Sequence, residues 1–184
     1  MKKLIRNVLT VCFICYMILL VYFLFFSEEY GRNESYSSYQ YNLVLFRELK
    51  RYLAYRHKIG NGLFLVNVVG NVLAFAPFGF LVPVLYREQR NELTHNGHYF
   101  RSFLFVSLMG FLFSLCVEVT QLITKVGCFD VDDLFLNTTG VMIGFIVYFI
   151  SKKIIGVLSL KKKRRKKGNY MSTATLTKKE LFVQ

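Results

Sequence analysis

Acidic residues are scarce in this chain: eleven Asp and Glu stand against 24 Lys and Arg, for a net charge of +13. The basic residues are not gathered on any polar module of domain size, which sets nucleic acid aside as a partner. Cysteine is sparse and forms no framework. Cys12, Cys15 and Cys116 lie in apolar runs, where Cys behaves as a small hydrophobe. The Cys12 and Cys15 pair makes one C-x-x-C, but no second pair, His or carboxylate accompanies it, which argues against a metal site. Cys128 stands alone in a loop, and His95 and His98 have no further ligand beside them. No small-residue cleavage site follows the first apolar run, which ends in Phe25 and Phe26, so that run reads as a retained span. No nucleophile–base couple or known catalytic motif is visible, no residue set implies a cofactor, and the reading leans away from an enzyme.

What the chain does have is apolar length. Of its 184 residues 54% are hydrophobic, in four blocks at about 8–26, 63–86, 103–123 and 134–150. Each approaches the roughly 20 residues that a helix needs to cross a hydrocarbon core. Four strands could not close a barrel, and only helices satisfy their own backbone in lipid. The expected fold class is all-α: a polytopic membrane protein of four transmembrane helices. Residues 1–7 form a short basic start, 8–150 the membrane domain, and 151–184 a basic tail without regular structure. Within the first loop, Leu45, Phe46, Leu49, Tyr52 and Leu53 share one helical face, and Arg47, Lys50, Arg51 and Arg56 the other. That pattern predicts an amphipathic helix lying in the interface.

Seventeen Lys and Arg fall on one side of these spans and seven on the other, which places both termini in the cytoplasm. The run KKKRRKK at 161–167 would then meet anionic lipid of the inner leaflet.

Four of the eleven acids lie between positions 118 and 137. Glu118 falls inside an apolar run, where a carboxylate needs a partner or a purpose. Ser107, Gly110, Ser114, Glu118 and Gln121 follow at steps of three or four and make one small, polar stripe. Asp130, Asp132 and Asp133 come just before the fourth span; capping accounts easily for one of them. As oxygen ligands they are weak candidates for Mg²⁺ or Ca²⁺, and no metal is assigned. In the second span Asn67 and Asn71 share a face beside Gly70. Pro77 leaves the Leu73 carbonyl without its usual donor, which predicts a kink, and Gly79 and Pro83 loosen the turns that follow. In the fourth span Asn137 shares a face with Gly140 and Gly144, a G-x-x-x-G contact pair. Asn67, Glu118 and Asn137 each sit about one turn from the outer end of their span. The candidate functional cluster is therefore Asn67, Asn71, Glu118, Gln121, Asp130, Asp133 and Asn137, with Asp130 and Asp133 expected to face Glu118 from the turn. A structural polar belt would give the same pattern.

Three blocks of this sequence, NVVGNVLAFAPFGFLVP at 67–83, EVTQ at 118–121 and FDVDDLFLNTTGVMIG at 129–144, resemble those of VanZ-like membrane proteins in content, spacing and order. The resemblance covers about 42–150, with NLVLF at 42–46 similar to a short preceding block. It implies a multi-pass protein of the bacterial plasma membrane. It also implies an association with resistance to the glycopeptide antibiotic teicoplanin, for which the family has no settled mechanism. Teicoplanin carries an acyl chain and acts at the outer leaflet of the cell envelope. The drug, or a lipid-linked envelope precursor, is thus the expected ligand. The competing reading is a membrane enzyme on a lipid-linked or head-group substrate, with Glu118 as general acid or base. A small proton-coupled carrier is a third.

Overall fold

In a computed structural model of the chain, the described residues are 2–26, 38–47, 49–51, 54, 65–89 and 97–181. They fold almost entirely as helix. Helix α1 is Lys2–Phe26, α2 Gly70–Gln89, α3 Gly97–Thr124 and α4 Val131–Leu181. A π-helical turn, Leu65–Val69, leads into α2. Four stretches are long and apolar enough to cross a membrane: Lys3–Phe26, Asn67–Tyr86, Tyr99–Thr124 and Val131–Ser159. The chain is thus an all-α polytopic membrane protein.

The residues form two compact units, Met1–Tyr148 and Phe149–Gln184. The first holds the helix bundle. In the second, helix continues to Leu181, where the sequence predicted a tail without regular structure. No proline interrupts this lysine-rich stretch, and Lys, Leu, Met and Glu are good helix formers. Lys153 lies over the Phe149 ring, 4.8 Å from its centroid. The side chains of 161–167 lie outside the described residues, as do His95, Tyr52 and Leu53.

In hydrocarbon, helices gain little from burying apolar surface against each other, so close packing and interhelical hydrogen bonds decide the arrangement. Both are present in the bundle. A methyl group added at Gly140 would collide with the Val72 carbonyl, and one at Gly144 with the Ala76 carbonyl. The α2 backbone thus lies directly against the glycine face of α4. The reciprocal contact comes from Gly79 of α2, whose missing methyl would strike the Val141 backbone. Helix α2 runs unbroken through Pro77 and Pro83. On α1, the Tyr16 hydroxyl donates to the Ala74 carbonyl at 2.6 Å. Phe78 stacks on Phe113 with centroids 5.8 Å apart, joining α2 to α3.

Of the first loop, Arg47, Leu49, Lys50, Arg51 and Ala54 are helical, and the Lys50 N–H donates to the Phe46 carbonyl at 3.0 Å. Just before it, β1 (Tyr41–Asn42) pairs in parallel with β2 (Phe129–Asp130), with Tyr41 opposite Phe129 and Asn42 opposite Asp130. This two-residue ladder ties the first loop to the α3–α4 turn.

Candidate functional site

The polar stripe of α3 faces inward along its length. Ser107, Gly110, Ser114, Glu118 and Gln121 are all buried, while Leu108, Leu112 and Val119 between them are exposed. Glu118 is only 2% exposed. Its Oε2 accepts the Asp130 N–H at 2.9 Å, so the buried carboxylate of α3 holds the backbone where α4 begins.

The three acids of the turn have separate tasks. Asp130 Oδ1 accepts the Asp132 N–H at 2.8 Å, which makes Asp130 the N-cap of α4. The same oxygen accepts Asn42 Nδ2 at 3.1 Å. Asp132 turns instead to the first loop, where its carboxylate accepts the N–H of Phe46 and, at 3.4 Å, that of Leu49. Phe46 sits there with φ 63°, a left-handed conformation that costs a side-chain-bearing residue about 1–2 kcal/mol. The Asp132 bond and an edge-on contact of the Phe46 ring with Phe135, centroids 5.4 Å apart, hold it in place. Asp133 accepts Asn71 Nδ2 at 2.7 Å, linking α4 to α2.

The expected cluster is therefore gathered in part. Glu118 and Asp130 are joined through the Asp130 backbone. Asp133 accepts from Asn71 of α2. Asn67, half-buried, lies in the π-helical turn four residues before Asn71. Gln121 belongs to a different contact: its amide donates to the Leu24 carbonyl at 2.9 Å, near the end of α1, where helix carbonyls have no intrahelical donor. Asn137, 1% exposed, donates to Ser114 Oγ at 2.9 Å, and its Oδ1 has no hydrogen-bond partner among the described residues. Asn137 is one turn along α4 from Asp133, and Ser114 one turn along α3 from Glu118. The Asn137–Ser114 pair thus forms the layer beneath the carboxylates.

Among the described residues, no three His, Cys, Asp or Glu side chains are grouped as ligands for a metal ion. Asp130 and Asp132 accept from different residues of the first loop, and Asp133 accepts from α2.

Sequence reasoning missed Asn42. It is 5% exposed, bonds Asp130 and accepts the Val44 N–H at 3.2 Å. An Asn within a polar loop carries no periodic signal; its only trace was the NLVLF block. The structural role of Asp132 was also missed. Chemically, the carboxylates are acceptors for the chain's own backbone and amide donors, and so tie the first loop and α2 to this end of the bundle.

No solved structure matches this chain. Over 87 residues it is 31% identical to Protein VanZ of Enterococcus faecium, a match that spans 47% of this chain and 47% of that protein. The VanZ/LLP1 family model matches residues 13–152, which include α2, α3, Glu118, the Asp130–Asp133 turn and the glycine face of α4. With that match over most of its length, the chain belongs to the VanZ/LLP1 family.

Proposed function

We propose that this VanZ-like membrane protein lowers susceptibility to teicoplanin through an outward-facing polar site at the outer leaflet of the bacterial plasma membrane. In this reading both termini are cytoplasmic and the basic run 161–167 meets anionic lipid of the inner leaflet, in line with the excess of basic residues on that side.

The observation that carries the proposal is the assembly around Glu118. A carboxylate only 2% exposed, within an apolar span, binds the turn whose acids hold both the first loop and α2. Four segments, α3, the α3–α4 turn, the first loop and α2, are thus tied together at one polar end of the bundle. An amphiphile arriving from the leaflet would meet that end, and the acyl chain of teicoplanin provides the apolar part.

The test is the inhibitory concentration of teicoplanin, with vancomycin as control, in a sensitive Gram-positive host. Wild-type protein and Glu118→Gln are compared at matched membrane levels. Gln keeps an oxygen for the Asp130 N–H and removes only the charge. The expected result is a rise for teicoplanin alone, lost in Glu118→Gln. A wild type that changes neither drug would end the resistance reading.

A further inference from the structure

The sequence predicts that the apolar face of the first-loop helix meets the membrane; of that face, Phe46 is 37% exposed and Leu49 half-buried. The Phe46 ring packs on Phe135, and the Leu49 N–H is bound by Asp132. The most exposed apolar side chains lie just before the helix. Tyr41, Leu43 and Val44 are each at least 60% exposed, and Leu45 is 42% exposed. Asn42 among them is buried against Asp130, so the backbone is pinned while its apolar neighbours point away. The next turn of chain carries Arg47, Lys50 and Arg51, all exposed, with Glu48 the one acid between 41 and 51.

The height of this segment follows from its bonds. The Phe129 N–H donates to the Gln40 carbonyl at 3.0 Å, and the Tyr41–Phe129 register continues the contact. Phe129 belongs to the turn between the spans Tyr99–Thr124 and Val131–Ser159. The segment therefore lies where those helices leave the hydrocarbon. Exposed apolar residues at that level, followed by a net positive charge, match the boundary between acyl chains and phosphates.

We propose that residues 41–47, with Lys50, are a fixed lipid-binding foot for anionic phospholipid. Leu43, Val44 and Leu45 enter the acyl boundary, and Arg47 and Lys50 meet head-group phosphates. A second copy of the chain is a poorer occupant, because a two-fold contact through this patch would set the same cations against each other. This inference stands apart from the teicoplanin reading and would survive its failure.

The chain contains no tryptophan, so Val44→Trp creates a single reporter in the full-length protein. It is reconstituted in phosphatidylcholine bilayers with and without phosphatidylglycerol. The expected result is blue-shifted emission, quenching by brominated lipid rather than by aqueous acrylamide, and stronger quenching with phosphatidylglycerol. The double change Arg47→Gln and Lys50→Gln should remove the phosphatidylglycerol dependence. Water-like emission quenched by acrylamide would overturn the proposal. So would blue-shifted emission insensitive to brominated lipid, which means that protein covers the patch, and so would equal quenching in both bilayers. Leu43→Trp gives an independent reading of the same surface.

Discussion

Asn137 poses a balance that can be decided by magnitude. Its bond to Ser114 is a side-chain bond between membrane helices, worth about 0.6 kcal/mol on average. Its buried Oδ1, without a partner among the described residues, costs about 1–3 kcal/mol. Ser114 Oγ, the acceptor of that bond, still has its own O–H to donate to the carbonyl four residues back. Asn137→Val should therefore leave stability unchanged or raise it by about 1 kcal/mol, as read by unfolding in mixed micelles. A loss above about 2 kcal/mol would mean that Oδ1 is satisfied in the bilayer, for example by a buried water. Asp132 is the opposite case, because two backbone donors depend on it. Asp132→Ala leaves both without their acceptor, at about 1–3 kcal/mol each if they stay buried. The check is hydrogen exchange: the amides of Phe46 and Leu49 should lose protection while those of α3 keep theirs.

At the scale of elements, the contact between α2 and α4 is set by glycine. Gly144→Leu places a side chain where the Ala76 backbone lies, and one helix must move. We expect folded protein to fall sharply, measured as the monodisperse fraction after detergent extraction. Gly156→Leu is the control, since a methyl added there would meet nothing within 4 Å among the described residues beyond its own helix backbone, and it should be neutral. The four spans were legible in sequence because apolar length is a local property. Their ends were less so. The third span was expected at 103–123, yet α3 begins at Gly97, because a helix can run past the hydrocarbon on polar residues. The β1–β2 ladder was not legible at all. Two residues carry no period, and the partners are 88 positions apart. Within the site, the inward stripe of α3 followed from spacing alone. The separate directions of Asp130, Asp132 and Asp133 did not, since three acids in four residues look alike until their partners are placed.

For the whole molecule, the test concerns direction across the membrane. Cys128 lies in the α3–α4 turn, half-buried, its Sγ 3.6 Å from the Phe129 carbonyl. The other three cysteines lie within spans. With those three replaced by Ala, a membrane-impermeant maleimide should label Cys128 in intact cells. Labelling that needs permeabilised cells would reverse the proposed orientation and put the Glu118 site on the cytoplasmic face.

The bond between Phe46 and Asp132 has a further consequence, in time rather than in space. The two residues are 86 positions apart. At about 5–20 residues per second, on the order of 4–17 s of synthesis separate them. During that interval the first loop lacks Phe129, Asp130 and Asp132, which do not yet exist. Its left-handed turn at Phe46 can be locked only after α3 has been made. Closure of the loop therefore follows synthesis of α3 and the turn after it, so errors in inserting α3 should be read out at the first loop.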